Sequence, residues 1–176
     1  MLIQNYGLFW QRSWIHFGAG NNAGHLKGIR AGHLTEDPID LREQQGVYCL
    51  YDDNFRLVYV EQAGGRNNQR LFVRLRQHRD DFVAARWTRF SWFGVRQVLQ
   101  KGVLKAVKKD AHPSIGDVLN HIEAILIAAA EPVHNRQGGS FGDAVEQYLQ
   151  YRDDANLGPE TNEIIWSIWK KVSSDE

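Results

Sequence analysis

Two tyrosines eleven residues apart, Tyr48 and Tyr59, flank Asp52-Asp53-Asn54 and read as the two arms of one β-hairpin. If Asp53-Asn54 is a two-residue turn, Asp52 pairs with Phe55, Tyr48 with Tyr59 and Gly46 with Glu61, so both phenols project from one face. Phenols so placed could hold or move a proton, but a phenol titrates near ~10 and needs nearby cations to act as a base at neutral pH. Such cations follow in the chain: Arg70, Arg74 and His78 recur at intervals of four along one edge of an expected helix. Guanidinium groups there would also suit contacts to phosphate. The alternative is that tyrosines simply pair well across an antiparallel ladder.

The elements that must position these groups are expected as a strand over 46–52, a tight turn, a strand over 55–62, a Gly64-Gly65 loop and a helix over about 68–84. A third strand over 89–95 follows, and then a helix over about 115–131 with capping-box spacing at Ser114 and Asp117 and a stop at Pro132. In that last helix Ile115, Val118, Leu119, Ile122, Ile125, Leu126 and Ala129 define the expected buried face, and Glu123 lies at its shoulder, half turned toward the core. Ala144 to Tyr151 and Glu160 to Val172 read as two further helices packing on the core. Residues 1–44 read as an N-terminal extension whose Phe9, Trp10, Trp14 and Phe17 form a satellite core or a dimer contact. The spacing of His16, His25 and His33 supports no metal site.

With 176 residues and 43% hydrophobic composition the chain suits one domain with a sizeable core. No apolar run is long enough to cross a bilayer and no secretory pattern opens the chain, so a cytoplasmic location without membrane contact is expected. The single Cys49 can form no internal disulfide and, facing away from Tyr48, reads as a small buried hydrophobe. Net charge is zero, but the average conceals a dipole. Residues 66–109 carry twelve of the 21 Lys and Arg against only Asp80 and Asp81, a local +10 that the remaining nine basic and 19 acidic residues cancel. Charge runs are often only solvated faces, yet a duplex laid across this segment would meet a positive field.

The tripeptides Gly46-Val47-Tyr48 and Tyr59-Val60-Glu61 resemble the pair that names the GIY-YIG nuclease superfamily. Arg74, His78, Glu123 and Asn135 follow in the family's order, so the resemblance spans about residues 46–140. Phe90-Ser91-Trp92-Phe93-Gly94 and Asn135-Arg136-Gln137-Gly138-Gly139 look like its restriction-type branch. The resemblance implies an α+β fold with a small antiparallel three-stranded sheet flanked by helices, a nuclease core over 45–140, and residues 141–176 as C-terminal helices. It also implies a DNA endonuclease using one Mg²⁺ or Mn²⁺ held by Glu123. In that reading Arg74 neutralises the phosphate, Tyr48 accepts the proton of the attacking water, and Tyr59 and His78 orient or exchange parts with it. Asn135 holds Glu123 or the backbone in place, while Arg66, Arg70, Arg76, Arg79, Arg86 and Arg89 would meet the DNA.

Glu61 departs from the family's second tripeptide, which ends in glycine, and it falls on the tyrosine face. The carboxylate there could block a phosphate or bind metal. A tolerated variation, a degenerate nuclease that still binds DNA, and a selected inactivating change all stay open. The main expectation is therefore a metal-dependent endonuclease, and the alternative is a catalytically inactive DNA-binding or regulatory protein. Cutting both strands with one site per chain calls for a homodimer or two successive nicks.

Overall fold

The hairpin lies where the sequence places it, but two residues out of register. In the computed structural model, which describes residues 2–64, 69–99, 102–105, 115–131 and 138–154, strand β4 (Gly46–Tyr51) pairs antiparallel with β5 (Leu57–Ala63). Tyr48 faces Glu61, and Tyr59 faces Leu50. The turn is one residue longer than expected: Asp52 and Arg56 close it, and Phe55 takes a left-handed φ of 60°. The Asp52 carboxylate accepts the amides of Asn54 and Arg56, at 2.8 and 2.9 Å. A bulge opposite Leu50 and Tyr51 adds the second residue. Two residues restore the parity, so Tyr48, Tyr59 and Glu61 still share a face.

β4 and β5 are joined by β1 (Asn5–Gln11), β2 (Lys27–Arg30), β3 (Ile39–Asp40), β6 (Arg89–Gly94) and β7 (Glu146–Gln150). The seven form one sheet in the order β3-β2-β7-β1-β6-β4-β5, which corrects the expected three-stranded sheet flanked by helices. All pairings are antiparallel except β1 with β7. Residues 1–44 are thus no appended extension, because β1 lies inside the sheet and Trp10 is buried in the main core, its indole N–H donating to the Tyr148 carbonyl at 3.1 Å. The expected helix over 144–151 is strand β7. Its alternation buries Tyr148 and leaves Leu149 outward, and its backbone pairs with β1 on one side and β2 on the other, which a helix could not do. The segment 160–172 lies outside the described residues.

Among the described residues there are two α-helices, one on each face. The helix expected over 68–84 is α1 (Leu71–Gln77), seven residues long, covering the Tyr48 face through Leu71, Phe72 and Leu75. It gives way to turns after His78, whose carbonyl accepts the Trp87 indole N–H at 3.0 Å, while Asp81 caps the Val83 amide at 3.0 Å. The second helix, α2 (Ile115–Ala130), covers the Cys49, Tyr51 and Phe93 face. Its buried face is rotated from the one expected: Ala129 and, in part, Ile125 do pack inward, but Ile115, Leu119, Ile122 and Leu126 are exposed, and His121, Ala124 and Ala128 take their place. Alanine leaves room for the rings of the sheet, with the Tyr51 hydroxyl donating to the Ala129 carbonyl at 2.9 Å, and His121 Nδ1 accepts the amides of Leu2 and Ile3 at 3.2 and 3.1 Å. Polar anchors and shape complementarity decide this face more than the hydrophobic count does. Cys49 is buried on it, its thiol pushed up to about 11 by desolvation.

Gly46 has a backbone reason to be glycine. A Cβ there would collide with the Phe93 carbonyl, and φ is +149°, so only glycine lets β4 close on β6 and bring Tyr48 beside α1.

Candidate functional site: a carboxylate-occupied arginine pocket

Strand parity points Tyr48, Tyr59 and Glu61 at the same side of the sheet, and α1 lays Arg74 and His78 over them. Tyr48 and His78 are fully buried, whereas Tyr59, Glu61 and Arg74 are half-buried at the rim. The Tyr48 hydroxyl lies 2.6 Å from Glu61 Oε2 and 2.7 Å from His78 Nε2. Tyr59 donates to the same Glu61 oxygen at 3.2 Å, and its ring stands edge-on to His78 at 5.0 Å. Arg74 Nη2 donates to both oxygens of Glu61. Its Nη1 donates to Gln69 at 3.1 Å and Gln77 at 2.6 Å, and among the described residues Nε is buried without an acceptor.

The site is therefore centred on Glu61. Desolvation pushes its carboxyl up, but hydrogen bonds from Arg74 and Tyr48 and the Arg74 charge outweigh this and hold it below the ordinary range. Tyr48 moves the other way. Burial, then the hydrogen bond and charge of Glu61, raise the phenol far above its usual value, against a smaller lowering by Arg74. Tyr59 is raised too, by burial and then Glu61. Tyr48 consequently keeps its proton, which makes it a hydrogen-bond donor and a poor general base. The expected help from neighbouring cations is outweighed: Arg74 lowers the phenol, but burial and then Glu61 raise it by more.

Asp81 completes the cluster and was not singled out from the sequence, where it counted only as a countercharge. Its Oδ2 lies 2.6 Å from His78 Nδ1. The signal was the (i, i+3) spacing from His78, which brings the two together across the turn that ends α1. Gln69 and Gln77, which fix the second nitrogen of Arg74, carried no signal beyond their nearness to it.

Glu123 is not brought to this pocket. It is exposed on α2, and α2 packs on the face of the sheet opposite Tyr48. Asn135 and Arg66 lie outside the described residues. Arg70 pairs with Glu43 at 3.3 Å. Arg76 and Arg79 lie over the rings of Phe72 and Phe17, at 5.8 and 4.8 Å, and these two rings stack at 6.0 Å. Arg89 lies over Phe55 at 4.4 Å, and Arg86 is exposed. Such stacking orients guanidinium groups without neutralising them.

These residues do not fit the expected Mg²⁺ or Mn²⁺. Glu61 already accepts from Arg74, Tyr48 and Tyr59, the Arg74 guanidinium repels a second cation, and Glu123 is across the sheet. Among the described residues no three His, Cys, Asp or Glu side chains are grouped to hold a metal ion. What the pocket can do is bind an anion: one guanidinium fork and two phenol donors converge on the place the Glu61 carboxylate fills. Comparisons with family models, curated proteins and solved structures gave no match.

Proposed function

We propose that this chain binds duplex DNA without hydrolysing it, keeping the tyrosines, arginine and histidine of a phosphodiesterase site in a silenced form. The observation that carries the reading is the double contact of Arg74 with Glu61, reinforced by Tyr48 and Tyr59. A carboxylate with one negative charge and two acceptor oxygens stands where a scissile phosphate would need to stand. The protonated Tyr48 adds to this, since water attack on phosphorus requires a group able to take a proton. Affinity would come from the arginines around α1 and the following loop, Arg76, Arg79 and Arg86 among them, whose positive segment suits the phosphate backbone.

The test pairs binding with cleavage. Mixed-sequence duplex should bind with an affinity that falls steeply as salt rises, and should stay intact with Mg²⁺ or Mn²⁺. Strand cutting by the unaltered chain, abolished by Arg74→Ala, would favour the second reading. In that reading an incoming phosphate displaces Glu61 and the assembled side chains then act as a hydrolase. Its support is that Glu61 and Arg74 keep 28% and 21% of their side chains exposed, so a ligand can reach the pair.

A further inference from the structure

We propose that the pocket at Arg74 takes a terminal phosphate of a nucleic acid, a phosphate monoester, in preference to a phosphodiester within the strand. The inference rests on the reading of this site as one for nucleic-acid phosphate and adds which phosphate it selects. A ligand must displace Glu61, so selectivity follows from comparing each phosphate with the carboxylate it replaces.

An internal phosphodiester has one negative charge and two free oxygens, the same as Glu61. Exchanging one for the other gains little. A terminal phosphate carries a charge of about −1.5 to −2 at neutral pH and three strong acceptor oxygens. The pocket has donors for all three. Arg74 Nη2 now serves both Glu61 oxygens, and the Tyr48 and Tyr59 hydroxyls both crowd onto Oε2, at 2.6 and 3.2 Å. Among the described residues Arg74 Nε–H is buried with no acceptor within hydrogen-bond geometry, a costly state that a group with a third oxygen can relieve. Beside a terminal phosphate, Glu61 is therefore short by one oxygen and by about half to one charge. Gln69 and Gln77 hold the other arm of the fork, so the guanidinium need not move when the occupant changes. The arginines over Phe17 and Phe72 lie on the same helix and the turn after it, where the adjoining strand would run. That placement favours the end of a nucleic acid over free phosphate.

The experiment compares duplexes of one sequence that differ only in their ends: 5′-phosphate, 3′-phosphate, hydroxyl at both, and a covalently closed circle without ends. The full chain should bind one phosphorylated form about tenfold more tightly than the hydroxyl form, the scale of one charge-assisted hydrogen bond. Arg74→Lys, which keeps the charge and loses the fork, should bring the ratio near one. Glu61→Gln should tighten all four and leave the ratio at least as large, because the carboxylate that either phosphate must displace has gone. Equal binding of all four forms by the unaltered chain overturns the proposal while leaving DNA binding intact. If no duplex binds, the proposed function fails, and inorganic phosphate decides the pocket's chemistry. A shift of the Glu61 carboxyl carbon resonance on adding phosphate, absent in Arg74→Lys, upholds a phosphate monoester site. No shift overturns it.

Discussion

Glu61 decides what Arg74 and the two phenols can touch, and its replacement should be read in two ways. Glu61→Gln removes the charge that holds the fork, so DNA binding should strengthen by roughly fivefold or more, measured as the change in dissociation constant at fixed salt. Stability should respond to pH in a definite direction. Because the folded carboxyl lies below its ordinary value, its contribution is complete above the unfolded value of about 4.3 and is lost as pH falls through the folded one. Denaturant unfolding between pH 6 and pH 3 should show this loss in the unaltered chain and a shallower one in Glu61→Gln. A pH dependence unchanged by the substitution would show that the ion pair adds nothing to folding. Tyr48→Phe should cost about 1–3 kcal/mol in the same experiment, since it strips a buried partner from His78 and Glu61 together. At this scale the sequence was largely readable. Tyr48, Tyr59, Arg74, His78 and Glu61 do converge, because strand parity and helix spacing are local properties. Asp81 escaped because its role depends on where α1 ends, and Glu123 failed because a shoulder position on a wheel does not say which face of a sheet the helix will cover.

At the scale of elements, local chemistry overruled two patterns. The hairpin gained one residue in its turn and one in its bulge, and only because the two sum to an even number do the tyrosines and Glu61 remain together. Neither residue had a sequence signal as strong as glycine would have given, since Phe55 is an aromatic in a left-handed turn position, packed against Phe9 and under Arg89. Helix α2 misled differently. Its largest apolar residues lie outward, and an alanine face meets Tyr51 and Phe93, a choice set by the space those rings leave and by the anchors at His121 and Ala129. The consequence can be measured by thermal unfolding. Ala124→Leu should overpack the sheet face and cost about 1–3 kcal/mol, whereas Leu119→Lys should stay within about 0.5 kcal/mol of the parent. The reverse order would mean that α2 packs through its leucine face.

For the whole molecule, the seven-stranded sheet carries the site near one edge. Strands β6, β4 and β5 form an antiparallel run at that edge, and β1, β7, β2 and β3 extend the sheet beyond them. The extension was illegible because its pairings are long-range: β1 meets β7 across some 140 residues of chain, and no local pattern announces such a partner. Among the described residues no helix is long and apolar enough to cross a membrane. The chain as a whole is neutral while residues 66–109 are strongly basic, so binding should depend on salt far more than net charge suggests. The most direct test of the account is to incubate mixed-sequence duplex with the unaltered chain, Glu61→Gly and Glu123→Ala in Mg²⁺ or Mn²⁺, reading bound and cut DNA together. Binding by all three is expected, tightest for Glu61→Gly, with no strand cut by any. Cutting by the unaltered chain that Glu123→Ala abolishes would contradict this, because it would require Glu123 to act beside Tyr48 from the other face of the sheet.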